Sequence, residues 1–223
     1  MTAVRTVLFD LDGTLSDSAA LITHHLVGAL RAVGAEVPGP DVLMSLVGPP
    51  FETALPPLGL TAEQTTAAIR HYRSTYDPVA AEQSVLFPGV PALLDELGAA
   101  GLRLAVATAK PERTANRILA GLGLVERFAL VGGSDPTAGR VGKGPVIASV
   151  LMRLDLDPAR SPVVMVGDRS HDVEGAIANG IPSIGVGWGY AEPGELAEAT
   201  LVVADLDALY VTLTGDHDGV WST

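Results

Sequence analysis

Short apolar runs that alternate with helix-like stretches constrain the fold of this 223-residue chain most strongly. The runs are rich in β-branched residues and cover residues 6–10, 102–108, 128–132, 163–167, 183–186 and 201–204. Most of them lack the alternation of apolar and polar residues that half-exposed strands show, which is typical of a parallel sheet covered on both faces. Helical character fills residues 90–100, 111–122, 145–154 and 172–179. The pattern predicts an α/β fold with a doubly wound, Rossmann-like parallel sheet, in which ligands gather at the carboxyl ends of the strands.

Residues 17–86 interrupt this pattern, because they show helical periodicity and no convincing strand. Ser18 is a candidate N-cap for the first helix of this segment. Thr61 and Gln64 have the spacing of a capping box that opens another helix. We therefore expect a helical domain of residues 17–86 inserted into an α/β core domain of residues 1–16 and 87–223.

Composition excludes several classes of function. The formal net charge of −12 argues against nucleic-acid binding through a broad basic surface. The absence of cysteine excludes disulfides, thiolate nucleophiles and cysteine-ligated zinc, and it fits a cytoplasmic protein. The longest uncharged stretch, residues 175–191, is broken by glycine, proline and asparagine, so we expect no membrane segment. Oligomeric state is left open.

Two carboxylates, Asp10 and Asp12, follow the first apolar run and precede Gly13. Residues two apart on an extended chain point to the same side, so both acids are expected near one another. Adjacent carboxylates repel unless a cation lies between them, and Gly13 would let backbone N–H groups approach an anion. This stretch indicates a site for a metal and an anion. The alternative is an Asp-rich turn after a strand.

A second acidic pair, Asp168 and Asp172, follows the apolar run 163–167. If this run lies in the same sheet as Asp10, the acids form a metal site of hard oxygen ligands, which Mg²⁺ prefers. Asp172 is also a candidate N-cap of the helix that follows.

Two further residues suit phosphate chemistry. Thr108 ends the second run just before Pro111, where a hydroxyl and free N–H groups can hold a phosphate. Lys143 lies in a glycine-rich loop before a helix, without the Walker pattern. Read alone, Thr108 is equally explained as a helix cap and Lys143 as a solvated charge.

Together, in this order along the chain, these four pieces resemble the haloacid dehalogenase superfamily of phosphohydrolases. The resemblance covers nearly the whole chain, with the helical insert where that superfamily has its first type of cap domain. The run from Asp10 through Leu15, followed by Asp17 and Ser18, is most similar to the phosphoglycolate phosphatase group.

The resemblance implies a role for each residue. Asp10 would attack phosphorus to form an aspartyl-phosphate, and Asp12 would act as general acid and base. Mg²⁺ would bind to a side-chain oxygen of Asp10, the carbonyl of Asp12 and Asp168, supported by Asp172. Thr108 and Lys143 would stabilise the transferring group, with phosphate contacts at the backbone of Gly13, Thr14 and Ala109.

The resemblance also leaves alternatives. The presence of Asp12 argues against a dehalogenase, and the absence of lysine from residues 17–86 argues against phosphonate cleavage by a Schiff base. A β-phosphoglucomutase-like isomerase remains the alternative to a phosphatase. A receiver-like signalling domain is a remote one, since receivers are shorter and lack the insert.

The substrate would be a phosphorylated small molecule whose identity the sequence leaves open. A turn containing Pro49 resembles the loop with which family caps contact substrate, although it also reads as a simple connection between helices. Residues 70–73 (Arg70, His71, Tyr72 and Arg73) are expected on a solvated helix face. Arg169 is an uncommon residue after Asp168, and its role is left open.

Overall fold

The computed structural model of the chain describes residues 4–215. A six-stranded parallel sheet lies at its centre, in the order β3-β2-β1-β4-β5-β6. The strands are β1 Thr6–Phe9, β2 Arg103–Pro111, β3 Leu130–Ser134, β4 Val163–Gly167, β5 Ser183–Val186 and β6 Leu201–Val203. The strand order reverses between β1 and β4, so a crevice opens at their carboxyl ends, where ligands bind in such sheets.

Helices cover both faces of the sheet, which confirms the predicted doubly wound fold. The helices that connect or follow the strands are α6 Val90–Ala99, α7 Glu112–Gly121, α8 Lys143–Arg153, α9 Ser170–Ala178 and α10 Leu206–Thr214. Val7 and Phe9 of β1 face a core that includes α6, α7 and α10, whereas Leu8 between them faces α8 and α9. Both faces are fully buried, which is why the strands are continuously apolar.

Between β1 and α6 the chain is helical, within the segment 17–86 that the sequence predicts to be an inserted domain, and this segment is called the helical insert below. Its helices are α1 Ala19–Ala32, α2 Pro40–Ser45, α3 Phe51–Ala54, α4 Ala62–Tyr76 and α5 Ala80–Gln83. The predicted capping box is confirmed at the start of α4, where Gln64 N–H donates to Thr61 Oγ1 and Thr61 N–H donates to Gln64 Oε1. No helix in residues 4–215 is both long enough and apolar enough to cross a membrane.

Two local predictions are wrong, and a third is confirmed in position only. Ser18 occupies the N-cap position of α1, but its side chain makes no capping bond. The N–H groups of Ser18 and Ala19 donate to the hydroxyl of Tyr190, at 2.8 and 3.1 Å. Lys143 is the first residue of α8 rather than part of a loop, since a proline is tolerated in the first turn and need not mark the start.

Asp172 is not the N-cap of α9. It lies in the first turn, and its Oδ2 accepts a bond from the N–H of Arg169, the residue in the N-cap position.

Candidate active site

The acids of the two motifs meet at the carboxyl edge of the sheet. Asp10 and Asp12 follow β1, and Asp168 follows the neighbouring β4. The carboxylates of Asp10, Asp168 and Asp172 each place an oxygen within 4.8 Å of the others. These side chains are all buried, with Asp10 only 2% and Asp168 0% exposed. The parallel register of β1 and β4 produces this cluster, because it aligns the two strand ends.

Lys143 is anchored at the centre of the cluster. Its ammonium lies 2.7 Å from Asp10 Oδ1, 2.6 Å from Asp172 Oδ1 and donates to the carbonyl of Ala107 at 3.0 Å. Burial favours the neutral amine, but the two carboxylates outweigh it and raise the pKa of Lys143 above its ordinary value. Two ion pairs and one hydrogen bond thus surround the ammonium, so the lysine fixes Asp10 and Asp172 relative to β2.

Asp168 is held only by neutral donors. Thr14 donates its hydroxyl to Oδ1 at 3.1 Å, and Tyr190 donates its backbone N–H to Oδ2 at 2.8 Å. Burial, followed by repulsion from Asp172 and Asp10, raises the pKa of Asp168 to about 8. Burial likewise raises the pKa of Asp10, although Lys143 opposes this shift. Full ionisation of Asp10 and Asp168 is therefore unfavourable unless a further positive charge is present.

The charges of this cluster fit a divalent cation. Three buried carboxylates face one ammonium, which leaves two negative charges uncompensated when the acids are ionised. Carboxylate oxygens that converge in this way are the donors that Mg²⁺ selects. Asp10 and Asp168 are the residues best placed to hold it, since Asp172 is committed to Lys143 and to the backbone of Arg169.

Asp12 lies apart from this cluster and forms an ion pair with Lys110. The Nζ atom of Lys110 is 3.0 Å from Asp12 Oδ2 and donates to the Tyr76 hydroxyl at 2.9 Å, on the last residue of α4. The second carboxylate oxygen of Asp12, Oδ1, is buried and has no hydrogen-bond partner within residues 4–215. Asp12 therefore presents one free oxygen to whatever occupies the crevice.

The other predicted phosphate ligands border this space. Thr108 is buried in β2, just before the irregularity in that strand, and its hydroxyl accepts the N–H of Lys110 at 3.2 Å. Gly13 has φ +83°, and a Cβ there would overlap the Asp168 carboxylate, so glycine is required for this approach. The Thr14 side chain is engaged by Asp168, which leaves its backbone for an anion. Ala109 and Pro49 line a neighbouring cleft.

This cleft lies between the helical insert and the core, and Asp12 and Lys110 form part of its wall. Three aromatic rings also line it. Tyr72 stacks on Tyr76 with ring centroids 4.9 Å apart, and Phe51 packs edge-on against Tyr72 at 4.8 Å. The prediction of a solvated helix face is wrong for Tyr72, which is 8% exposed, whereas Arg70 and Arg73 of the same helix are exposed.

Arg169 ties the insert to the core. Its guanidinium donates to the carbonyl of Val47 at 2.6 Å and to Glu195 Oε1 at 2.8 Å. The neighbouring Gly48 approaches the ring of His171 so closely that a Cβ there would lie 3.1 Å from the ring. The residue after Asp168 thus fixes the loop that leads to Pro49.

Sequence reasoning missed Lys110, Tyr72 and Tyr190 as parts of this site. One signal for Lys110 was available, because the chain has only two lysines and this one follows Thr108 by two positions. Tyr190 carries no local signal, since its contacts are with Asp168 and with residues more than 170 positions earlier.

Comparison with known proteins was made for sequence and for fold. A family model described as haloacid dehalogenase-like hydrolase matches residues 7–186. The chain is 46% identical over 184 residues to a protein named tyrosine-protein kinase PtkA from Mycobacterium tuberculosis, and the match covers 82% of this chain but only 62% of that relative. It is 34% identical to a protein named 5′-nucleotidase from Pseudomonas aeruginosa, over 91% of this chain and 92% of the relative.

Solved structures share the fold. A predicted phosphatase from Clostridium acetobutylicum superposes with a TM-score of 0.87 at 33% identity, covering 94% of this chain and 97% of that one.

Proposed function

This chain belongs to the haloacid dehalogenase-like hydrolase family, and we propose that it is a Mg²⁺-dependent phosphatase that hydrolyses a small phosphate monoester through an aspartyl-phosphate on Asp10. The family match confirms the resemblance seen in the sequence. The observation that carries the proposal is the contact of Lys143 with both Asp10 and Asp172, beside Asp168, in one buried cluster. This arrangement supports a charged nucleophile next to a cation site.

Asp10 and Asp168 would hold the Mg²⁺ ion, together with the carbonyl of Asp12. Bound there, the ion would neutralise carboxylate charge that otherwise repels a phosphate group. Lys143 holds a carboxylate oxygen of Asp10 in place and opposes the effect of burial on its pKa, which favours the ionised form that a nucleophile requires. The hydroxyl of Thr108 and the N–H groups of Thr14 and Ala109 would donate to phosphoryl oxygens, whereas the N–H of Gly13 already donates to the carbonyl of Ser16 at 2.9 Å.

In the first half-reaction a carboxylate oxygen of Asp10 forms a bond to phosphorus, and the bond from phosphorus to the leaving oxygen breaks. Asp12, protonated at its free Oδ1, gives this proton to that oxygen, which departs as an alcohol and leaves Asp12 as a carboxylate.

In the second half-reaction a water oxygen attacks phosphorus, and the bond from phosphorus to Asp10 breaks. Asp12 accepts the proton of this water. Inorganic phosphate, the carboxylate of Asp10 and the protonated form of Asp12 are regenerated, so atoms and charge balance over the cycle.

The deciding experiment measures phosphate release from a panel of monoesters in Mg²⁺ and in EDTA. Asp10→Asn and Asp12→Asn should each lower turnover by ~10³-fold or more, because each removes a group that changes bonding in the reaction. The matched control Asp95→Asn alters an exposed aspartate paired only with Arg127 and should retain full activity. Full activity in EDTA, or normal turnover by Asp10→Asn, would refute the mechanism.

Two other outcomes would change the assignment. Conversion of a β-hexose 1-phosphate to its 6-phosphate without phosphate release would identify a mutase. Transfer of phosphate from ATP to a tyrosine peptide would align the chain with the relative named as a kinase, of which it matches 62%.

A further inference from the structure

We infer that the cleft beside Asp12 selects a neutral leaving group that carries a ring. The inference rests on the proposed function, because it concerns the alcohol that departs from phosphorus. Asp12 belongs to the cleft wall, so an alcohol protonated by Asp12 projects into this space. The lining of the cleft therefore bears on which alcohols are accepted.

The charges of the cleft oppose an acidic leaving group. Its lining contains two cations, and each is already paired with a carboxylate: Lys110 with Asp12 at 3.0 Å and Arg73 with Glu52 at 2.9 Å. Asp77 adds a further acid, whose oxygen accepts the Thr114 hydroxyl at 3.3 Å. A substrate such as 2-phosphoglycolate would bring another carboxylate to this surface without a free cation to receive it.

The aromatic residues of the cleft favour a ring. Phe51, Tyr72 and Tyr76 form a continuous cluster with centroid separations of 4.8 and 4.9 Å. Aromatic pairs of this kind add binding energy beyond the area that they bury. A planar leaving group can extend the cluster, whereas a short acyclic alcohol leaves most of it uncovered.

Tyr72 also has a polar function to offer. Its hydroxyl makes no hydrogen bond within residues 4–215, although the side chain is only 8% exposed. Burial raises the pKa of Tyr72 well above its usual value, so the hydroxyl keeps its proton and can donate. A neutral ring with a hydroxyl, carbonyl or ring nitrogen satisfies this donor. A nucleoside meets this description in full, whereas a benzyl group offers the ring without the acceptor.

The test compares benzyl phosphate, ethyl phosphate and 2-phosphoglycolate in Mg²⁺. Their leaving oxygens are all of the alkyl type, so differences in kcat/KM report recognition rather than the chemical reactivity of a phenol. Benzyl phosphate should exceed each of the other two by ~10-fold or more, the scale on which a pocket discriminates one missing group. A nucleoside 5′-monophosphate added to the panel distinguishes the two kinds of ring. Whichever of this compound and benzyl phosphate has the higher kcat/KM identifies the preferred ring.

Tyr72→Leu should reduce the ratio of kcat/KM between benzyl and ethyl phosphate towards one. The matched control Tyr210→Leu, on α10 and outside this cleft, should leave the ratio unchanged. The wild-type comparison needs no variant, so misfolding of Tyr72→Leu would not remove the test.

A higher kcat/KM for 2-phosphoglycolate than for benzyl phosphate would overturn this inference and leave the phosphatase intact. Absence of phosphate release from every substrate, including p-nitrophenyl phosphate, would instead overturn the proposed function.

Discussion

The ammonium of Lys110 lies 3.0 Å from Asp12 Oδ2, and both side chains are more than 90% buried. The same ammonium donates to the hydroxyl of Tyr76, so Lys110 links this residue of the helical insert to Asp12, the proposed acid and base. The second lysine, Lys143, serves the nucleophile Asp10 in a comparable way. The proposed nucleophile Asp10 and the proposed acid and base Asp12 are therefore each paired with a different buried lysine.

Removing one partner of the Lys110–Asp12 pair should be costly. Lys110→Met leaves a buried carboxylate without its cation, which lowers the free energy of unfolding by ~3–5 kcal/mol. Adding Asp12→Asn in the same chain should recover much of this loss but not the activity. Chemical denaturation of the two variants measures the effect. Additive losses in the double variant would show that the two residues do not interact.

The stability of the metal-free protein should fall as pH rises. Asp168 has a pKa of about 8 when folded, against an ordinary pKa of 3.8 in the unfolded chain, so between these values the folded state binds more protons than the unfolded state. That contribution is present at low pH and is lost as pH rises towards 8. Mg²⁺ should flatten the decline by favouring the ionised acid. Thermal unfolding at pH 5–8, in EDTA and in Mg²⁺, measures this.

Asp168→Asn provides the control for the pH dependence. It should abolish the part of the pH slope that Mg²⁺ removes, since it no longer titrates. A wild-type stability in EDTA that is constant across pH 5–8 would contradict the assignment.

Gly189→Ala should displace Asp168. A Cβ at this position would overlap the Asp168 side chain and lie 2.5 Å from the carbonyl of Gly13. A displacement of about 1 Å in a catalytic group can cost ~10²-fold in rate, and we expect a loss of that size in kcat. Steady-state kinetics at saturating Mg²⁺ measures it.

Gly98→Ala is the matched control for Gly189→Ala. Gly98 lies in α6 with nothing within 4 Å of its added Cβ, so the variant should retain activity and gain ~0.5 kcal/mol of stability. Equal activity of both variants would show that the Gly189 contact does not position Asp168.

Arg169→Met should loosen the loop that carries Pro49. It removes the bonds to Val47 and Glu195, and we expect a loss of ~3 kcal/mol in stability and a rise in KM that exceeds any fall in kcat. Arg160→Met is the control, since Arg160 is 86% exposed and pairs at 3.5 Å with Asp157. This surface pair should contribute ~0–1 kcal/mol. Equal stability losses in the two variants would contradict the role of Arg169.

Much of this architecture is local enough to be predicted from sequence. The apolar runs identify the strands because both sheet faces are buried, and parallel strands bring their carboxyl ends together whatever the loops do. That is why Asp10, Asp12 and Asp168 can be grouped from their positions along the chain. The bounds of β4 and β5 match the predicted runs, whereas β2 extends to Pro111 through an irregularity after Thr108.

The remaining features depend on tertiary contacts that no local pattern encodes. Tyr72 lies on the buried face of α4 with Ala68 and Tyr76, but the sequence does not reveal that this face lines the cleft beside Asp12 and Lys110. Ser18 is the N-cap residue of α1, yet its side chain makes no capping bond, and its N–H donates to the hydroxyl of Tyr190, 172 positions away. Arg169 is an uncommon residue in its motif, and its role follows only from its hydrogen bond to the carbonyl of Val47.

Tyr190 contacts both parts of the molecule at once. Its backbone N–H binds Asp168, and its hydroxyl accepts from Ser18 and donates to Asp17 at the entrance to the helical insert. A residue shared in this way can couple two equilibria, the binding of a cation at Asp168 and the position of the insert. If cation binding at Asp168 favours one position of the insert by some factor, then by thermodynamic reciprocity that position of the insert favours the cation by the same factor. Substrates that draw the insert towards the core would then lower the Mg²⁺ concentration needed for half-saturation, so metal requirement becomes a property of the substrate as well as of the site.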